Sequence, residues 1–559
     1  MNILIFIVDQ QRYPPIYETA ELRAWRKQNL LTQSRLSSQG VEFSRHYVGA
    51  TACSPSRATL FTGQYPSLHG VTQTSGAAKE PFDSDMFWLD RNTVPTMGDY
   101  FRAAGYRTFY KGKWHISDED MIIPGTHTPI PSYHPQTGVP DPAKVELYLH
   151  ADRLDAFGFT GWVGPEPHGR DPHNSGSSAA IGLRGRDEFY AAELVGLISK
   201  LEQEGKSSDG YQPWLIVASF VNPHDIALYG AISSIYPLFA FSVDDTIPPV
   251  PAPPTINETL LTKPRCQASY RKTYPQAFQP IFRNAFYRRL YYQLQRNVDW
   301  EMGKVFQALQ QSSFYQDTIV VFTSDHGELL GAHGDLHQKW YCAYEEAICV
   351  PLIFHNPRLF DRHRKINTAT SHVDILPTLL GLIGADAEEL QATLRQSFSE
   401  VRPFVGRNLS ALLCGDGGPA DAWDEPVYFM TEDDVTNGQH QVGLLGNPYK
   451  SVVQPNAVET VIAALTVDGC KEYWKYSRYY PNPRSSTENG RELKVPDEYE
   501  MYNLTKDPWE TTNLAHPAFA NPQTRSIQLH LAELLHAQSA RKRLYPTRKP
   551  GFASFLAET

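Results

Sequence analysis

The chain reads as an α/β protein built on a largely parallel sheet, followed by a smaller α+β region. Three observations point there. Short β-branched runs alternate with amphipathic stretches in the first third. The residues suited to chemistry stand just after such runs, where open α/β sheets form their sites. Beyond about residue 395 the pattern changes to short strands with one helix. We expect two domains, 1–395 and 396–559, with no internal repeat.

The elements follow in order. Residues 3–8 form an apolar run far shorter than the roughly 20 residues that cross a bilayer. The run lacks a basic leader and ends in Asp9, so it reads as a first strand and not a signal peptide. Residues 21–39 have helical spacing and are closed by Gly40. Next come a helix at 96–104 closed by Gly105, a strand at 107–110, a helix at 188–204 and a buried-type strand at 214–220. The Gly-, Pro-, His- and Asp-rich stretch between His115 and Arg186 is too long for a simple connection and reads as a lid or rim. TIPPVPAPPTINETLLTKP, ending at Pro264, is a second rim, because its prolines forbid regular structure. A long helix at 286–310 and a strand at 318–322 lead into Thr323-Ser324-Asp325-His326-Gly327, and a helix at 372–383, closed by Gly384, finishes the domain. Strands at 427–430, 461–467, 473–479 and 500–503 and a helix at 523–534 make up the rest.

Composition narrows the function. The 559 residues are 41% hydrophobic and 20% charged, which excludes a disordered chain, a collagen and a disulfide-knotted toxin. A net charge of −10 with only short, scattered Lys/Arg clusters gives no footprint for nucleic acid, and no membrane partner is expected. The cysteines Cys53, Cys266, Cys342, Cys349, Cys414 and Cys470 are too sparse for a disulfide framework and include no C-x-x-C zinc pair. A reducing cytoplasm is the expected compartment, with Cys342 and Cys349 in the core.

The sharpest local signal is Cys53-Ser54-Pro55-Ser56-Arg57-Ala58-Thr59-Leu60-Phe61-Thr62-Gly63. Taken alone, it sets a cysteine at a helix start, where a thiolate is favoured, or it is a buried cysteine beside a capped helix. C-x-P-S-R followed by A-T-L-F-T-G resembles the signature of the type I sulfatases. The likeness extends over nearly the whole chain. Asp9-Gln10 ends the first strand as that family's metal-binding pair does, and Gly112-Lys113-Trp114-His115 is similar to its G-K-W-H motif. Asn222-Pro223-His224, Asp325-His326-Gly327, and Lys339 ahead of Tyr344-Glu345-Glu346-Ala347 and Val350-Pro351-Leu352 match in order. Glu500-Met501-Tyr502-Asn503-Leu504 resembles the family's closing strand. Any one motif is weak; six in order are specific.

The resemblance implies an alkaline-phosphatase-like fold, a mixed, largely parallel sheet sandwiched by helices, with a smaller C-terminal α+β domain carrying an antiparallel sheet. It implies a hydrolase, an arylsulfatase-like sulfuric ester hydrolase acting on a small-molecule sulfate ester. In that family a maturation enzyme oxidises the cysteine, here Cys53, to formylglycine, whose hydrate is the nucleophile. Asp9, Gln10, Asp325 and His326 would hold one divalent ion together with the modified Cys53. Arg57 would orient the hydrate, while Lys113, His115, His224 and Lys339 contact the sulfate and leaving group. His224 or Lys339 would serve as the acid and His115 as the base. A sulfate monoester is already anionic, so its hydrolysis needs such a gathering of cations.

The metal pairs differ from the Asp-Asp and Asp-Asn of many sulfatases. Asp9-Gln10 and Asp325-His326 make a less negative, slightly softer site, so calcium, the family default, has manganese as a rival. The same pairs resemble choline sulfatases and the phosphonate monoester hydrolases or phosphodiesterases of the superfamily. A phosphonate or phosphodiester monoanion matches a sulfate monoester in charge and shape, and is the alternative substrate class. His46, His69, His333 and His337 are expected to support the site or the fold. The tail after residue 540 mixes basic and apolar residues. It is either a frayed end or, as in related sulfatases with C-terminal extensions, docks on a neighbouring subunit, so a homo-oligomer is expected.

Overall fold

The computed structural model describes the chain except for residues 168–170, 208–211, 282–284, 445, 484–486, 489–490, 493–494 and 548–559. The end of the expected tail therefore lies outside the described residues.

Every residue of the first strand is buried, as a strand covered on both faces must be. The main sheet contains β1 (Asn2–Asp9), β2 (Gly40–Tyr47), β3 (Arg107–Gly112), β4 (Trp214–Pro223), β5 (Thr318–Ser324), β6 (Cys349–His355), β7 (Arg364–Ile366) and β8 (Thr370–Ser371). Its order is β3-β4-β1-β5-β6-β2-β7, with β8 also paired to β2. Among these strands β6 alone runs against the others. Alternation along β1 assigns its two faces. Ile3, Ile5 and Ile7 pack with Phe61, Leu376 and Leu379 on one side. Leu4, Phe6 and Val8 pack with Tyr190, Leu194, Val298 and Met302 on the other. Each such side chain contributes roughly 1.5–3 kcal/mol by leaving water. β1 lies between β4 and β5, parallel to both, so the carboxyl ends of the three open on one edge.

The smaller sheet holds β9 (Val427–Thr431), β10 (Ala457–Val467), β11 (Cys470–Tyr480) and, after a short ribbon of β12 (Thr487–Glu488) and β13 (Arg491–Glu492), β14 (Glu498–Asn503). It is antiparallel, in the order β14-β11-β10-β9. Leu531 and Leu535 of the helix Pro522–Lys542 cover one face, over Val461, Trp474 and Met501. Val458, Ile462 and Tyr502 of the other face pack on Tyr344 and Ile348 of the main body.

Three expectations are corrected. The single helix expected over 21–39 is two, Ala20–Asn29 and Leu31–Ser38. The second starts because the Asp299 carboxylate accepts from Thr32 N (2.8 Å) and Gln33 N (3.0 Å), a cap supplied by a residue remote in sequence. Gly40 is not a helix cap; it opens β2, which local spacing did not reveal, and its Cβ position lies 2.5 Å from the Leu36 oxygen. The long stretch 116–185 contains the helix Pro142–Ala151, with Asp141 capping and Pro142 in its first turn. β6 also carries Pro351, and the β2–β6 register shifts opposite it, which spares the missing N–H a ladder partner.

Gly112 closes β3 at φ 109°. A Cβ there would lie 1.7 Å from the Ser219 carbonyl oxygen, while Lys113 N donates to that same oxygen at 3.0 Å. Gly112→Ala is expected to cost about 3 kcal/mol or more. The readout is a lowered thermal midpoint or loss of soluble protein; an unchanged midpoint would mean that the ends of β3 and β4 can part.

Candidate active site

β1 and β5 are neighbours, so their carboxyl ends bring Asp9 and Asp325 together, both wholly buried. Two adjacent carboxylates out of water require cations. Arg57 provides the first, from the helix Cys53–Thr62, which is buried along its whole length. Its Nε donates to Asp325 Oδ2 at 2.8 Å and its Nη2 to Asp9 Oδ2 at 3.2 Å. Nη1 donates to Lys113 O and Ser219 Oγ, each at 2.8 Å, so the fork has no freedom left. Lys113 follows β3 and donates from Nζ to Asp9 Oδ2 at 2.6 Å.

These charges set one another's ionisation. Burial pushes the Asp9 carboxyl up, but Lys113, His224, Arg57 and His326 together hold it well below the usual carboxylate range. Burial pulls Lys113 down, yet Asp9 and Cys53 leave it raised. Arg57 is likewise raised, Asp325 and Asp9 outweighing its burial. Burial lowers His224, with Asp9 acting in the opposite sense.

Cys53 begins its helix, and its Sγ lies 3.1 Å from His326 Nε2. His224 directly follows β4, after Asn222 and Pro223, is partly open to solvent, and lies close enough to Asp9, Lys113 and Cys53 to feel their charges. Gln10, at φ 75°, donates from N to Asp325 Oδ1 at 3.0 Å, and its Oε1 accepts from Lys339 Nζ at 3.1 Å. Direct contacts thus join Asp9, Gln10, Cys53, Arg57, Lys113, Asp325, His326 and Lys339, and His224 lies near enough to act on the Asp9 carboxyl. His115 stands beside them, two residues beyond Lys113, with Nε2 3.1 Å from Ser75 Oγ and Trp88 against its ring.

The donor set fits a divalent cation. Asp9 Oδ1 is buried without a hydrogen-bond partner. His326 Nδ1 faces Gly327 O at 3.0 Å, which turns the Nε2 lone pair toward Asp9 Oδ1 (3.6 Å) and Asp325 Oδ1 (3.7 Å). Ligand atoms of Asp9, Cys53, Asp325 and His326 all lie within 4.8 Å of one another. Two carboxylates and an imidazole lone pair converge beside Cys53, and the one oxygen among them without a hydrogen-bond partner, Asp9 Oδ1, is the kind of acceptor that a positive ion satisfies.

The remaining histidines have other partners. His46 bonds Thr370 and packs on His372, and His69 bonds Thr59. His333 lies between Glu258 and Glu346 and stacks on Tyr344, while His337 sits near Asp335 and against Tyr274. Cys342 and Cys349 are buried.

Sequence reasoning missed three carboxylates that hold the site's loops. Glu166 accepts from Trp114 N (3.1 Å) and His115 N (2.8 Å); burial pushes it up to about 7. Asp433, just past β9, accepts from Ala52 N, Thr74 N and Trp340 Nε1. Glu328 accepts from Gln10, Leu330 N and Gln338 N. Only Glu328 had a local signal, directly after Asp325-His326-Gly327; the other two lie far from any motif.

The sulfatase family model matches residues 1–385. The uncharacterized sulfatase YidJ of Escherichia coli is 26% identical over 357 residues, covering 64% of this chain and 63% of that protein. The choline-sulfatase of Rhizobium meliloti is 26% identical over 70% of this chain and 69% of its own length. The multifunctional alkaline phosphatase superfamily protein PehA of Trinickia caryophylli is 25% identical over 93% and 92%. Among solved structures, a 2-O GAG sulfatase superposes with a TM-score of 0.61 at 20% identity, over 97% of this chain and 92% of that one. The phosphonate monoester hydrolase of Agrobacterium radiobacter gives 0.59 at 20%, over 97% and 96%. Both share the fold.

Arg57→Ala would leave Asp9 and Asp325 as unpaired buried neighbours. Thermal unfolding in the presence of a chelator is expected to show a loss of about 3–5 kcal/mol. A midpoint equal to the parent's would mean that Lys113 suffices to neutralise both carboxylates.

Proposed function

This chain belongs to the sulfatase family, and from that premise we propose that it hydrolyses a sulfate monoester to an alcohol and sulfate, with position 53 as the nucleophile after conversion of its cysteine to formylglycine. The observation that carries the reading is the setting of Cys53: a buried helix start, in contact with His326 and near His224, beside a cluster of acceptor atoms ringed by Arg57, Lys113 and Lys339.

A divalent cation on Asp9, Gln10, Asp325 and His326, together with the hydrated carbonyl at position 53, would supply Lewis-acid charge and an attacking oxygen. The chain's own groups do the rest. Arg57 holds both metal-binding carboxylates in one plane of donors and keeps them from turning away. Lys113 and Lys339 offer ammonium protons to sulfate oxygens, whose charge builds as the ester bond breaks. His224, near position 53, or Lys339 gives a proton to the departing alcohol oxygen. His115 takes the proton whose loss regenerates the aldehyde, and Glu166 sets its backbone for that task.

Calcium is the first candidate for the cation and manganese the second, because one amide oxygen and one imidazole soften the donor set. A second reading, hydrolysis of a phosphonate or phosphodiester, draws on those same two donors and on the fold shared with the phosphonate monoester hydrolase of Agrobacterium radiobacter. We assign the protein to a reducing cytoplasm, in keeping with six unpaired cysteines, and to a homo-oligomer. Among the described residues no helix is long and apolar enough to cross a membrane.

Mass spectrometry of the tryptic peptide from His46 to Arg57, isolated from a host with the maturation enzyme, is expected to show an aldehyde. Cys53→Ala should lower sulfatase turnover by on the order of 10³-fold or more. Unchanged turnover would remove position 53 from the chemistry. Chelation should abolish activity, and calcium or manganese should restore it. In a panel of nitrophenyl sulfate, phosphonate and phosphodiester, the sulfate is expected to have the highest kcat/KM; sulfate ranking last would favour the second reading.

A further inference from the structure

An amide has one end that suits a cation and one that does not. Gln10 is buried, and its backbone is tied on both sides: N–H to Asp325 Oδ1 at 3.0 Å, and C=O accepting from the Tyr291 hydroxyl at 2.6 Å. What remains variable is which way the side-chain amide faces. Oε1 meets the Lys339 ammonium at 3.1 Å, a group that only donates. Nε2 donates to Glu328 Oε2, a group that only accepts. The other Glu328 oxygen accepts from Leu330 N at 2.9 Å and Gln338 N at 2.8 Å. Gln338 immediately precedes Lys339, so one buried carboxylate fixes both the amide and the segment that delivers the lysine.

We propose that Glu328 is a positioning residue that decides the orientation of Gln10, turning its oxygen to the metal cluster and so setting the cluster's affinity for a divalent cation. This rests on the reading of Gln10 as a metal-binding residue given above. With glutamine at 328 only one acceptor oxygen would remain. The two backbone N–H groups are fixed by the chain and would keep that oxygen. The new amide nitrogen would then confront Gln10 Nε2, and the conflict ends only if Gln10 turns over and aims its own NH₂ at Lys339 and the cluster. A carboxylate at position 10 has no wrong end: it can accept from a glutamine at 328 with one oxygen and face the cluster with the other. The double substitution Gln10→Glu/Glu328→Gln therefore conserves charge and restores every pairing.

Calorimetric titration with Mn²⁺, and separately with Ca²⁺, of the full-length parent, Glu328→Gln, Gln10→Glu and the double variant makes a complete cycle. Substituting a group behind a metal ligand typically costs 10–100-fold in affinity. Glu328→Gln is expected to weaken binding about tenfold or more, and the double variant to recover most of it, a coupling of about tenfold between the positions. Additive effects, or parent-like affinity in Glu328→Gln, would overturn the role of Glu328 while leaving the metal reading intact. A parent that binds neither cation would overturn both. Should Glu328→Gln not fold, the double variant still decides: near-parent affinity supports the assignment, and lost binding overturns it.

Discussion

Two carboxylates at the ends of adjacent parallel strands, both out of contact with water, are the constraint from which the site is built. Asp9 and Asp325 owe their closeness to the pairing of β1 with β5, two strands buried along their whole length. Their mutual repulsion and desolvation have to be offset on the spot. Arg57 meets that need geometrically, because a planar fork can bind both at once, and Lys113 meets it again from β3. The same carboxylates keep an oxygen turned toward Cys53 and His326, where an ion fits. Charge compensation and the position of Cys53 are thus one arrangement.

The loops around this centre are held by carboxylates too. A loop has no ladder to satisfy its N–H groups, and buried N–H groups must find acceptors. Glu166 receives those of Trp114 and His115, Glu328 those of Leu330 and Gln338, and Asp433 those of Ala52 and Thr74. Each serves the segment that carries a candidate catalytic group: His115, Lys339 and Cys53 in turn. Asp433 comes from the far side of the chain, next to the smaller sheet, so that part of the protein reaches the turn that carries Cys53. Burial raises the carboxyls of Glu166 and Asp433, while the N–H groups they accept from act to lower them.

Much of the main sheet was legible because its central strands are continuous apolar runs ended by polar residues, as in Trp214 to Pro223 and Thr318 to Ser324. β2 was not, since GVEFSRHY mixes polar and apolar residues without a clean period and is extended only through its pairing with β6, β7 and β8. The break near Leu30 was hidden for a similar reason: the cap that restarts the helix belongs to Asp299 on another element.

The sequence alone determined the α/β class, the sulfatase-family motifs and the residue types at the centre, because these depend on local pattern and on chemistry that only certain side chains perform. Tertiary structure decided which oxygen of which carboxylate faces which cation, that Glu166, Asp433 and Glu328 anchor the loops, and which way Gln10 turns. Those outcomes are matters of distance between residues tens to hundreds of positions apart, and only the packed sheet and its loops set such distances.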